Sequence, residues 1–208
     1  MGKNKRNYRF IKMINRQFEM LQIENELNER LTEIIGNESY RIYDDFYVLH
    51  TGNIDSGNIV YSMIPLKSEW YHCKKDNIHF GYPLGDEKYA EFKNACRMAG
   101  FDPEKDFMYV NAIPFIPKGF GSFDKKTKED LEWIGYRIFE KLQPRFIIII
   151  GFETAEHLLG ISYVEFLDNL TKPFDIESGA KVVLFKEHNF NLLSKLYYKN
   201  YHIKKGSS

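Results

Sequence analysis

Residues 143–151, Gln-Pro-Arg-Phe-Ile-Ile-Ile-Ile-Gly, constrain the fold more than any other stretch of the chain. Four consecutive isoleucines, entered through a proline and left through a glycine, have no polar face to offer water. Such a run reads as a strand buried on both sides, with neighbouring strands beside it and helices above and below. The reading is therefore an α/β protein with a parallel sheet, whose functional groups sit in loops at the carboxyl ends of the strands.

The rest of the chain supplies the partners this strand needs. Residues 59–64 (Ile-Val-Tyr-Ser-Met-Ile) form a strand stopped at Pro65, residues 107–113 a second stopped at Pro114, and residues 181–185 (Lys-Val-Val-Leu-Phe) the last. Between them run helical patterns: one capped by Asp86, one started by Thr127 and Asp130 with a stripe of Leu131, Ile134, Ile138 and Leu142, and two short ones near 154–159 and 163–170. A further helix follows the last strand. Right-handed crossovers then give a three-layer α/β/α sandwich around a central four-stranded parallel sheet. The long stretch 65–85 reads as an aromatic and glycine-rich functional loop.

Ahead of this domain, taken as residues 53–205, lies a segment 1–52. Ile11, Ile14, Phe18, Leu21, Leu27, Leu31 and Ile34 recur at helical spacing there, and Gly36 supplies the stop. Residues 40–52 read as an irregular or short-stranded connector.

With 208 residues, 17 Phe and 14 Tyr, the chain has apolar mass enough to fold without staples or metals. Lysine plus arginine balance aspartate plus glutamate at 29 each, which argues against a polybasic coat but leaves room for a local basic groove. Two cysteines, Cys73 and Cys96, are too few for a disulfide framework or a four-cysteine cluster. His72-Cys73 with a lone His79 matches no zinc spacing, so no metal and no cofactor is expected. With no long apolar run and no apolar leader at the start, the expectation is a soluble, cytoplasmic protein that does not engage a membrane.

Three strand ends carry polar groups or tight turns: Ser62-Met63-Ile64-Pro65-Leu66, Tyr109-Val110-Asn111 and Glu187-His188-Asn189. Gly81-Tyr82-Pro83-Leu84-Gly85 and Ile149-Ile150-Gly151 fall between them in order. In order and spacing, over about residues 58–195, these segments resemble the uracil-DNA glycosylase superfamily, nearest its family 4 and 5 branch without the cysteines of its iron–sulfur cluster.

The resemblance implies a protein that flips a modified or deaminated pyrimidine out of DNA, single- or double-stranded, and hydrolyses its N-glycosidic bond. By it, His188 stabilises the departing base anion and Asn111 reads the base edge. Ser62, Met63, Ile64, Pro65, Leu66, Tyr82, Leu84 and Asn189 line the base pocket, and Lys118 and Gly119 contact the nucleic-acid backbone.

Leu84 stands at the family's stacking aromatic, forfeiting part of the roughly 1–3 kcal/mol that base stacking supplies. Met63 and Ile64 stand where the family carries an acid or amide that positions water, leaving Glu69 or Asp86 to substitute. Losing such a base costs about 10²–10⁴-fold in rate. Two alternatives therefore stay open: a catalytically degenerate member of the fold that binds nucleic acid or a nucleotide, and an unrelated nucleotide-binding α/β protein, which would lack any glycine-rich phosphate loop.

Overall fold

The structure, a computed structural model, describes residues 3–65, 67–77, 80–82, 90–98, 100–119 and 121–186. Leu66, Leu84, His188 and Asn189 lie outside the described residues, as do Asp86 and His79.

The strands are β1 (His50–Gly52), β2 (Asn58–Ser62), β3 (Phe80–Tyr82), β4 (Met108–Asn111), β5 (Phe146–Ile150), β6 (Phe174–Asp175) and β7 (Lys181–Phe185). They form one seven-stranded mixed sheet in the order β3-β1-β4-β2-β5-β7-β6. This is larger than the four-stranded parallel sheet expected. Strands β4, β2, β5 and β7 pair in parallel, β1 runs antiparallel to β4, and β6 antiparallel to β7. The added strands, β3 and β1 on one side and β6 on the other, are two or three residues long, too short to leave a periodic signal.

The isoleucine run is β5, and every residue of it is buried. Ile147 and Ile149 join Ile59, Tyr61, Val182 and Leu184 in the main core, and on the opposite face Val60, Ile148 and Val183 are buried too. Packed against the main core are helices α1 (Lys3–Gly36), α5 (Trp133–Leu142), α6 (Phe152–Leu159) and α7 (Tyr163–Asp168).

Helix α1 belongs to this core and not to a separate layer of the chain. Met20, Ile23, Leu27 and Ile34 are buried in it, and Arg137 of α5 grips Glu26 of α1 at 2.8 Å. The apolar stripe differs from the expected one: Phe18 and Leu21 are 56% and 49% exposed. At 3.6 residues per turn Phe18 stands about 180° round the helix from Leu27, so the apparent single stripe is two stripes on different faces.

Residues 67–76, expected in a loop, form helix α2 (Lys67–Asp76). Trp70 and Cys73, one turn apart, fill a small second core with Phe46, Val48 and Ile116, and the Trp70 indole donates to the Phe46 carbonyl at 2.9 Å. A short helix, α3 (Ala90–Met98), precedes β4. The helix expected over 127–142 is two: α4 (Lys125–Leu131), capped by Asp124 through the Thr127 amide at 2.8 Å, and α5.

Helix α5 approaches the sheet closely at Gly135. A side chain there would start 2.1 Å from the Tyr61 hydroxyl and 3.2 Å from the Ala112 Cα. No described helix is long and apolar enough to cross a membrane.

Candidate functional site

Winding order locates the place where a ligand would enter. From β2 the chain crosses to β4 on one side, then returns over β2 to β5 and continues outward to β7. The connections leaving β2 and β5 therefore diverge in opposite directions, and a crevice opens between their carboxyl ends. A cleft of about 430 Å³ occupies this spot, lined by residues 62–65 after β2, residues 150–154 after β5, and Lys67, Ile116 and Pro117. Its volume lies in the usual range for small-molecule sites, about 300–1,000 Å³.

The two turns that form the cleft are held from below. The Ala112 and Ile113 amides donate to the Ser62 and Met63 carbonyls at 2.9 Å each, extending the β2–β4 pairing beyond the strands. On the other side the Gly151 amide donates to the Phe185 carbonyl at 2.8 Å, and the Thr154 hydroxyl to the Ile150 carbonyl at 2.6 Å. Gly151 itself sits at φ 86° and ψ 151°, outside the regions open to side-chain-bearing residues.

Of the residues nominated from sequence, Ser62, Met63, Ile64 and Pro65 come together on the cleft wall. Met63 and Ile64 are half-buried and present no polar side-chain group. Asn111 pairs beside Ser62 but is 4% exposed and is not part of the lining. Its amide oxygen accepts from the Ser62 hydroxyl at 2.8 Å, and its amide nitrogen donates to the Val48 carbonyl at 3.4 Å. Both ends of the amide are thus engaged by protein.

Lys118 and Gly119 are exposed and follow directly on Pro117 at the cleft margin; the Lys118 amide donates to the Arg41 carbonyl. Tyr82 pairs with Thr51 at the far edge of the sheet, in β3. Strand β7 ends at Phe185, opposite Ile150, so the chain leaves it at the cleft end of the sheet. Glu69 lies in α2, and its side chain is outside the described residues.

Sequence reasoning missed Lys67 and, on the second wall, residues 152–154, above all Glu153. The carboxylate stands in the first turn of α6, and Lys128 of α4 holds its Oε2 at 3.0 Å. Among the described residues its Oε1 accepts no hydrogen bond. The available signal was the strand-Gly-helix junction after β5, which places the second and third residues beyond the glycine at the crevice.

A smaller cleft of about 260 Å³ lies between α1 and β1, lined in part by Leu21, Glu24, Leu49 and His50. It shares no lining residue with the β2–β5 cleft, and its acid, Glu24, already faces the Tyr47 hydroxyl at 3.4 Å. Among the described residues no group of three or more His, Cys, Asp or Glu side chains is placed to hold a metal ion. No protein-family model matches the chain, and no curated protein matches it.

Proposed function

We propose that this chain is a three-layer α/β/α protein of the uracil-DNA glycosylase type, which takes a flipped pyrimidine base into the β2–β5 crevice and hydrolyses its N-glycosidic bond. The observation that carries this reading is the meeting of residues 62–65 and 150–154 on one apolar-walled cleft at the divergence of β2 and β5. Parts of two segments noted for their order in the sequence, Ser62 to Pro65 and Ile150-Gly151, far apart in the chain, thus line one cleft.

The chemistry suits such a place. A base leaving C1′ carries negative charge while the sugar becomes positive, so the site must exclude bulk water from the base and keep a few polar groups at the reacting bond. The cleft supplies an apolar wall in Met63, Ile64, Pro65 and Ile150, with Lys67 and Lys118 near its mouth as phosphate partners for DNA. His188 remains the nominee for the base anion.

Incubation with single-stranded and duplex oligonucleotides carrying uracil, hypoxanthine or a hydroxymethylated pyrimidine is expected to leave alkali-labile abasic sites. Intact strands for every substrate would defeat the enzymatic reading.

A second reading has its own support. Asn111 is committed to Ser62 and Val48, and Met63 and Ile64 bring no water-positioning group. A catalytically silent protein that holds a nucleotide or nucleic acid in the same cleft would look like this. It would show salt-dependent oligonucleotide binding in an anisotropy titration with no base released.

A further inference from the structure

We infer that Glu153 is the carboxylate that orients and deprotonates the hydrolytic water, with Lys128 as its positioning residue; this rests on the glycosylase reading above. Hydrolysis needs a group that accepts a proton from water beside the sugar, and the turn after β2 offers none. The cleft's own lining narrows the choice. Ser62 spends its proton on Asn111, Thr154 spends its proton on the Ile150 carbonyl, and the Lys67 ammonium can donate a proton but not accept one. Glu153 is the one carboxylate among the described residues of the lining.

Its setting fits the task. Lys128 fixes one carboxylate oxygen from a neighbouring helix, and the Lys128 amide is itself anchored to the Asp124 carbonyl at 3.1 Å. The other oxygen is left to accept a hydrogen bond from water. The pair is partly exposed, with side-chain accessibilities of 23% for Lys128 and 55% for Glu153, so water reaches it without an opening motion. An exposed ion pair of this kind adds little to stability, roughly 0–1 kcal/mol, so changing it is expected to report on activity more than on folding.

The step balances with water as the only co-reactant. The C1′–N bond breaks with its electron pair going to the base, the water oxygen bonds to C1′, and the water proton passes to Glu153 Oε1. The base anion then takes up a proton, and Glu153 returns its own to solvent.

The test uses the full chain with a base-modified oligonucleotide under single-turnover conditions across a pH series. Glu153→Gln is expected to lower the rate by about 10²–10⁴-fold, the usual worth of a general base, with oligonucleotide affinity and thermal unfolding unchanged. On this assignment the wild-type rate should fall on acidification, and that fall should be absent in the variant. Lys128→Met should give a smaller loss and move the acid limb. A Glu153→Gln protein that keeps the wild-type rate and pH profile overturns the assignment while leaving the glycosylase reading intact. Absence of base release by the wild type overturns both.

Discussion

The two ends of β2 follow opposite plans. At the amino end the polar groups interlock: the Ser56 hydroxyl donates to the Asp106 carbonyl, the Asn58 amide to Ser56 Oγ at 3.0 Å, and the Asn58 side chain to the Asp106 carbonyl at 2.9 Å. The Arg16 guanidinium, 9% exposed, reaches the carbonyls of Ile54, Ser56 and Leu142 and so ties α1 to the strand entry and the end of α5. At the carboxyl end the chain turns through Met63, Ile64 and Pro65 around an open cleft. A strand anchored at one end can afford an unfilled cavity at the other, and the contrast separates residues that hold the fold from residues free to serve a ligand.

The sharpest way to break this contrast is at Arg16. Arg16→Met keeps the aliphatic stem but strands three carbonyls, so denaturant unfolding should show a loss of about 2–4 kcal/mol. A loss below about 1 kcal/mol would mean that the amino end is not an anchor.

Acid should act elsewhere, through His157 and through His50, which stands level with Tyr61 towards the carboxyl end of β2. Burial pushes the His50 imidazole of β1 from its ordinary 6.5 down to about 3, and burial also lowers His157. Because the folded pKa is depressed, the unfolded chain takes up the proton first as pH falls. Stability is full above about 6.5 and is then lost at up to about 1.4 kcal/mol per pH unit for His50 until its folded pKa is reached. Unfolding midpoints measured from pH 7 to 4 should show this slope, and His50→Gln should flatten it.

The smallest effect on stability belongs to the open end. Lys67 is exposed at the start of α2, so Lys67→Ala should change unfolding by no more than about 0.5 kcal/mol. The same change should lower the salt slope of oligonucleotide binding by about 1 if Lys67 meets a phosphate. An unchanged slope would remove Lys67 from the nucleic-acid path.

What the sequence disclosed follows from how each signal arises. Four isoleucines in β5 can only be buried on both faces, and β2, β4 and β7 carry the same kind of run bounded by a proline or a glycine. Helix α2 escaped notice because, among its described side chains, burial rests on one pair, Trp70 and Cys73, within a stretch largely polar. Helix α1 misled because its apolar residues change face between Leu21 and Leu27, which a spacing count does not register.

At the site, Ser62 to Pro65 were legible as a strand end stopped by proline. Asn111 was legible as a polar strand end, but its contacts with Ser62 and Val48 depend on β4 lying between β2 and β1. Glu153 was hidden because an acid in a first helical turn is ordinary, and only the crossing of the chain between β4 and β5 brings it to the cleft.

Gly151 joins the isoleucine strand to α6 at a backbone angle that a side chain would forbid. The direction in which the helix leaves the sheet is therefore written into one torsion, and a methyl group there would re-aim Phe152 and Glu153 together without touching either. The carboxylate inherits its place from the backbone upstream of it. A lineage that refits this crevice for another ligand is expected to vary the residues around the glycine and to keep the glycine itself.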